Sequence, residues 1–131
     1  MLKHAELRET ARARLKDSQA LLSAKRYDGA VYLCGYAVEI ALKARVCIVL
    51  KWRGFPSSYK EFENYRSFRT HNLDVLLSLS GREDKIKTNY LVEWSAVVGW
   101  DPEVRYFPVG SATEQNARLF VESARVVLRA L

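Results

Sequence analysis

Histidine is scarce in this sequence. Its 131 residues hold two, His4 and His71. His71 closes the run Arg66-Ser67-Phe68-Arg69-Thr70-His71, a set of residue types that could act on a phosphate. An imidazole is the usual general acid or base near neutral pH. A guanidinium at Arg66 or Arg69 could grip a phosphate or hold charge on a phosphoryl oxygen. The competing readings are structural. His71 could cap a helix start or satisfy a neighbour, and both arginines could be solvated surface charge.

A second constellation sits on the most apolar helix. Residues 26–44 read as a helix that is apolar nearly all round, which must lie centrally with neighbours on most sides. Tyr32, Tyr36, Glu39 and Lys43 recur on one of its faces. A carboxylate there is costly unless it is paired. Glu39 is therefore expected to be buried and bonded, with His71 or Arg105 as first candidates, and its removal to cost roughly 3–5 kcal/mol. Glu93 falls inside a later stripe of Ile86, Tyr90, Trp94 and Val97. The two carboxylates could belong to ion pairs with Lys43, Arg45, Arg105 or His71. They could instead line a ligand pocket with Tyr36, His71 and Arg105. Trp94, Trp100 and Tyr106 could stack on bases, though their spacing equally suits a core.

Other chemistries find no cue. No paired-cysteine or histidine cluster offers a zinc site. No Gly-rich phosphate loop or Ser/His/Asp arrangement is present, so neither a metal nor a cofactor is expected. Cys34 and Cys47 share one helix pattern, which sets them about 20 Å apart and too far to bridge. Buried free thiols of this kind point to a reducing compartment.

The composition is 49% hydrophobic and 27% charged, an ordinary globular balance that fits one domain over 1–131. The N-terminus has no apolar leader region, and no run is long and apolar enough for a membrane span, so a cytoplasmic protein is expected. A net charge of +6 and a pI near 9.5 suit a nucleic-acid or other polyanionic partner, or only a soluble basic surface.

Four amphipathic patterns must position these residues. The first helix spans about 4–24, with a stripe of Leu7, Ala11, Leu15, Ser18 and Leu22. The second spans about 28–52, with Asp28 as its N-cap. Residues 53–69 lack a period and carry Gly54 and Pro56, so they form an ordered aromatic connection. A short helix follows from Thr70 or Asn72 to Gly81. The next runs from about 84 to 99, and residues 105–110 are extended or irregular. The last runs from about 112 to 130, with Ser111 or Thr113 as cap, and Ser111-Ala112-Thr113-Glu114 reads as a capping box. An all-α, antiparallel up-and-down four-helix bundle with one extra short helix accommodates them.

Several of these pieces resemble one family. Tyr27-Asp28-Gly29-Ala30, Gly35-Tyr36-Ala37-Val38-Glu39 and Ala41-Leu42-Lys43-Ala44 are similar to bacterial HEPN-domain proteins (higher eukaryotes and prokaryotes nucleotide-binding). Thr70-His71-Asn72-Leu73 looks like the family's His-Asp-Leu segment, with Asn72 for the acid. Trp100-x-Pro102-Glu103-x-Arg105-Tyr106 also resembles bacterial members. The resemblance implies a helical bundle that forms homodimers and binds nucleotides or RNA. It also implies a two-gene, toxin–antitoxin arrangement with a nucleotidyltransferase-like partner. Many members are metal-independent RNases whose signature is Arg, four to six residues, then His. Arg66 and His71 match that spacing, but before the short helix and not at the C-terminal helix, which has arginines and no histidine. The first expectation is thus a binding module that uses Arg69, Tyr36, Glu39, Glu93, Arg105 and Tyr106. The alternatives are an endoribonuclease using His71 and Arg66, and a structural dimeric interaction domain.

Overall fold

The computed structural model describes residues 1–131. Its class is all-α. Three long helices dominate: α1 (His4–Ser23), α2 (Tyr27–Leu50) and α7 (Glu114–Ala130). α1 packs along α2, and α7 packs against both. The short helices α3 (Tyr59–Phe62), α4 (Leu73–Leu79), α5 (Glu83–Asn89) and α6 (Leu91–Val97) fill the remaining side. Two-residue strands β1 (Leu2–Lys3) and β2 (Gly54–Phe55) pair antiparallel.

α2 is the axis of the molecule, as its composition requires. Ala30, Cys34, Ala37, Val38, Leu42, Val46 and Cys47 are all fully buried. The main core joins α2 to Leu73, Leu76 and Leu77 of α4, Trp94 and Val97 of α6, and Val121, Ala124 and Val127 of α7. A smaller core gathers Leu7, Ala44, Val46, Cys47 and Phe55.

Three local expectations are corrected. The helix predicted over 84–99 is broken at Tyr90 (φ −134°, ψ 32°), within the poor helix formers Thr88-Asn89-Tyr90. The break lets the Trp94 Nε1–H reach Asp74 Oδ1 on α4 at 3.3 Å while Val97 stays buried. α2 stops at Leu50 and not at 52, because Lys51 turns left-handed (φ 55°) and the Trp52 N–H folds back onto the Cys47 carbonyl. Residues 102–106, where an extended or irregular run was expected from 105, form a 3-10 helix opened by Asp101, whose carboxylate accepts from the Glu103 N–H. Of the two caps expected for α7, Thr113 is the one used, accepting the Asn116 N–H at 3.1 Å. Ser111 instead donates its hydroxyl to the Pro108 carbonyl.

Asp28 is also not the N-cap of α2, which begins one residue earlier. Its carboxylate reaches across the fold and accepts the N–H groups of Gly110 (2.7 Å) and Ala112 (2.8 Å). These two bonds hold its carboxyl below the ordinary value of 3.8.

Candidate functional site

Glu39 lies on the middle of α2 with 3% of its surface exposed. One oxygen accepts from His71 Nδ1 at 2.5 Å. The other lies 3.6 Å from Lys43 Nζ, one turn along the helix. The pairing answers the sequence problem of a carboxylate on an apolar helix, and the partner is His71 and not Arg105. The His71 side chain stays 59% exposed. With Nδ1–H committed to the carboxylate, a neutral ring leaves Nε2 as an acceptor, and Nε2 makes no hydrogen bond within the protein. A buried carboxylate orienting a solvent-facing imidazole is an arrangement able to accept or donate a proton.

The connection that delivers His71 is tied down by aromatic rings. Trp52 meets Phe68 at 4.8 Å and Tyr65 at 5.0 Å between centroids, and Phe55 meets Phe62 at 6.1 Å, all edge to face. Lys43 lies over the Phe55 ring at 5.3 Å, so it links the Glu39 pair to this cluster. The 3-10 turn Arg66–Phe68 points Phe68 inward and leaves Arg66 exposed. Asn72 caps α4 by accepting the Val75 N–H, and the Thr70 hydroxyl accepts the Asn72 N–H. Between these anchors Arg66, Arg69 and His71 share one short exposed segment. Arg66 has no carboxylate partner, and the Arg69 guanidinium rests 4.2 Å from the Tyr59 ring centroid.

The other expected site residues go elsewhere. Tyr36 packs edge-on against Trp100 (4.9 Å) and Tyr32 (5.3 Å), and burial followed by Tyr32 pushes its phenol up. Arg105 lies 4.7 Å from the ring centroid of its neighbour Tyr106 and reaches the Pro102 carbonyl. Glu93 is half-buried in the first turn of α6 and pairs with no basic residue. Of the five residues expected to line a ligand pocket, Glu39 and His71 touch, and Tyr36, packed on Trp100, lies close enough to Glu39 and Arg105 to feel both charges. Glu93 bonds to none of them.

Gly35 explains why Tyr36 and Trp100 meet. A Cβ on Gly35 would come within 2.0 Å of the Trp100 indole. The ring therefore lies flat against the α2 backbone, where only glycine leaves room. The cysteines take no part in chemistry. Burial pushes Cys34 up to about 12 and Cys47 up to about 11, so neither supplies a thiolate.

The molecule is thus an all-α protein whose central helix carries, in order, Asp28, Gly35 and Glu39, each fixing a distant segment. Residues 4–58 match the model of the HEPN domain. Comparison with curated proteins and with solved structures gives no match. The matched span holds Asp28, Gly35 and Glu39, whereas their partners Gly110, Trp100 and His71 lie beyond it. No helix is long and apolar enough to cross a membrane.

Proposed function

We propose that this chain is a nucleotide- or RNA-binding module that presents Arg66, Arg69 and His71 to a phosphate-bearing ligand. The observation that carries this reading is the exposed segment itself. It puts two guanidinium groups and an oriented imidazole on an anchored loop, in a protein of net charge +6. Two arginines supply charge-assisted contacts to phosphate oxygens, and the His71 Nε2 adds one further polar contact.

A second reading is favoured by the Glu39–His71 pair. In a metal-independent endoribonuclease, His71 would take the proton of a ribose 2′-hydroxyl as that oxygen attacks the adjacent phosphorus, breaking the bond to the 5′-oxygen of the next nucleotide, which leaves with a proton from water, and forming a 2′,3′-cyclic phosphate. Arg66 would offset the charge that develops on the phosphoryl oxygens. Incubating the purified protein with single-stranded RNA, with His71→Ala in parallel, separates the two. Binding without cleavage supports the module. Cleavage that disappears in His71→Ala supports the nuclease. Absence of both binding and cleavage leaves the structural interaction domain.

The module works as a homodimer in the reducing cytoplasm, beside a nucleotidyltransferase-like protein in a two-gene toxin–antitoxin system. Support for the compartment comes from two buried free thiols. Support for dimerisation comes from an apolar surface: Val92 is 77% exposed, and Phe107 and Leu119 border one pocket with Val31 and Phe120. Sedimentation of the wild type as a dimer, and of Leu119→Glu as a monomer, is the expected result.

A further inference from the structure

Away from the His71 segment, a groove of about 470 Å³ lies between α1, α2 and α7 and is lined by five arginines: Arg8 and Arg12 from α1, Arg45 from α2, and Arg125 and Arg129 from α7. No Asp or Glu side chain lines it. Arg125 is held at the edge by a two-pronged bond to Glu122 (3.0 and 2.6 Å). Arg8, Arg12, Arg45 and Arg129 form no ion pair, although several carboxylates elsewhere on the surface do find basic partners.

Arg45 is the most telling member. Its Nε is buried and has no hydrogen-bond partner. A buried, unpaired guanidinium N–H is costly, and the cost disappears when an acceptor arrives. Burial, followed by the charges of Arg82 and Arg8, pulls the Arg45 guanidinium below its ordinary value. Like charges gathered at the mouth of a groove repel one another in the free protein and concentrate anions from solution. Below the arginines the wall is apolar, with Leu15, Ile48 and Leu128.

From this geometry we infer that the α1–α2–α7 groove is a binding site for closely spaced phosphate groups, of the kind a nucleoside triphosphate or an inorganic polyphosphate carries. Its size falls in the range of small-ligand sites, roughly 300–1,000 Å³. Guanidinium groups suit phosphate oxygens because each offers two parallel N–H donors. The apolar wall accommodates a base or sugar edge. The site uses none of the residues assigned to the His71 segment, so it stands or falls independently of that reading.

The test is thermal unfolding of the full chain at low salt, titrated separately with tripolyphosphate, ATP and a short single-stranded oligoribonucleotide. Tripolyphosphate and ATP should raise the unfolding temperature in a concentration-dependent way, as ligands of the native state do. Arg45→Gln is the obvious variant, but its position between helices makes it a risk to folding. Arg12→Glu/Arg129→Glu changes two exposed rim residues and keeps the core intact. It should unfold as cooperatively as the wild type and bind tripolyphosphate at least about tenfold more weakly, the weight of one or two charge-assisted contacts. Arg66→Glu/Arg69→Glu should keep the tripolyphosphate response while losing RNA binding, so a failure at one site is told apart from a failure at the other. Greater protection by ATP than by tripolyphosphate would show the base on the apolar wall. Protection by the oligoribonucleotide alone would overturn the compact-ligand assignment. Wild type that ignores tripolyphosphate, or a rim variant that responds like the wild type, would overturn the site.

Discussion

Gly35 is the residue on which two distant pieces of the chain depend. Its missing side chain admits Trp100, and with it the turn that leads into Pro102 and Arg105. Gly35→Ala is expected to cost about 2–3 kcal/mol in chemical denaturation, because a buried indole cannot step aside cheaply. An unchanged midpoint would mean that Trp100 is not seated there. Glu39 presents a different balance. The sequence suggested that losing it would strand a buried charge. The structure lowers that figure, since His71 is more than half exposed and Lys43 also reaches solvent. Glu39→Ala should cost about 1–3 kcal/mol. His71→Ala should cost a similar amount although it removes an exposed ring, because it leaves the buried carboxylate with Lys43 alone. A double-mutant cycle should give a coupling of about 1 kcal/mol or more between them, and a coupling of zero would deny the pair.

Helices and their ends were readable in the sequence to different degrees. α1, α2 and α7 each carry an apolar period long enough to fix their existence; of the stripe expected on α1, Leu7, Ala11 and Ser18 are buried and Leu15 and Leu22 partly so. The division at Tyr90 was not readable, because both halves continue the same period and no glycine or proline marks the break. Asp28 shows the same limit. Its type fits a helix N-cap, and only the fold reveals partners 82 and 84 residues away. Asp28→Asn keeps at most one strong acceptor for the two N–H groups and should cost about 1 kcal/mol at neutral pH. The pH dependence has a definite sign. The folded value lies below 3.8, so the carboxylate stabilises the fold above that pH and the contribution is lost as pH falls through the depressed value. The gap between wild type and Asp28→Asn, followed by urea denaturation, should narrow in acid. At the start of α7, Thr113→Ala should cost about 1 kcal/mol, whereas Ser111→Ala should leave the cap intact. The reverse order would restore Ser111 as the cap.

At the scale of the whole molecule, charge and shape were legible unequally. The net charge of +6 was plain, and His71 with its two arginines stood out by residue type. The arginine groove was not visible, because its five members come from three helices that meet only in the fold. The partners of the Tyr36–Glu39 face were hidden for the same reason. Helical spacing placed Tyr36 and Glu39 on one face, but the chain that crosses that face brings Trp100 to one and His71 to the other. What the fold builds is a rigid aromatic-anchored segment that displays positive charge, on a body with a second positive face. By the function proposed above, this segment binds RNA phosphates. Fluorescence anisotropy with a labelled single-stranded oligoribonucleotide, repeated from about 50 to 200 mM salt, tests it most directly. The logarithm of the affinity should fall linearly with the logarithm of salt concentration, by about 0.7 per phosphate neutralised. Arg66→Glu/Arg69→Glu should bind more weakly with a shallower slope and an unchanged circular dichroism spectrum. No binding at the lowest salt, or binding that survives this charge reversal intact, would contradict the account.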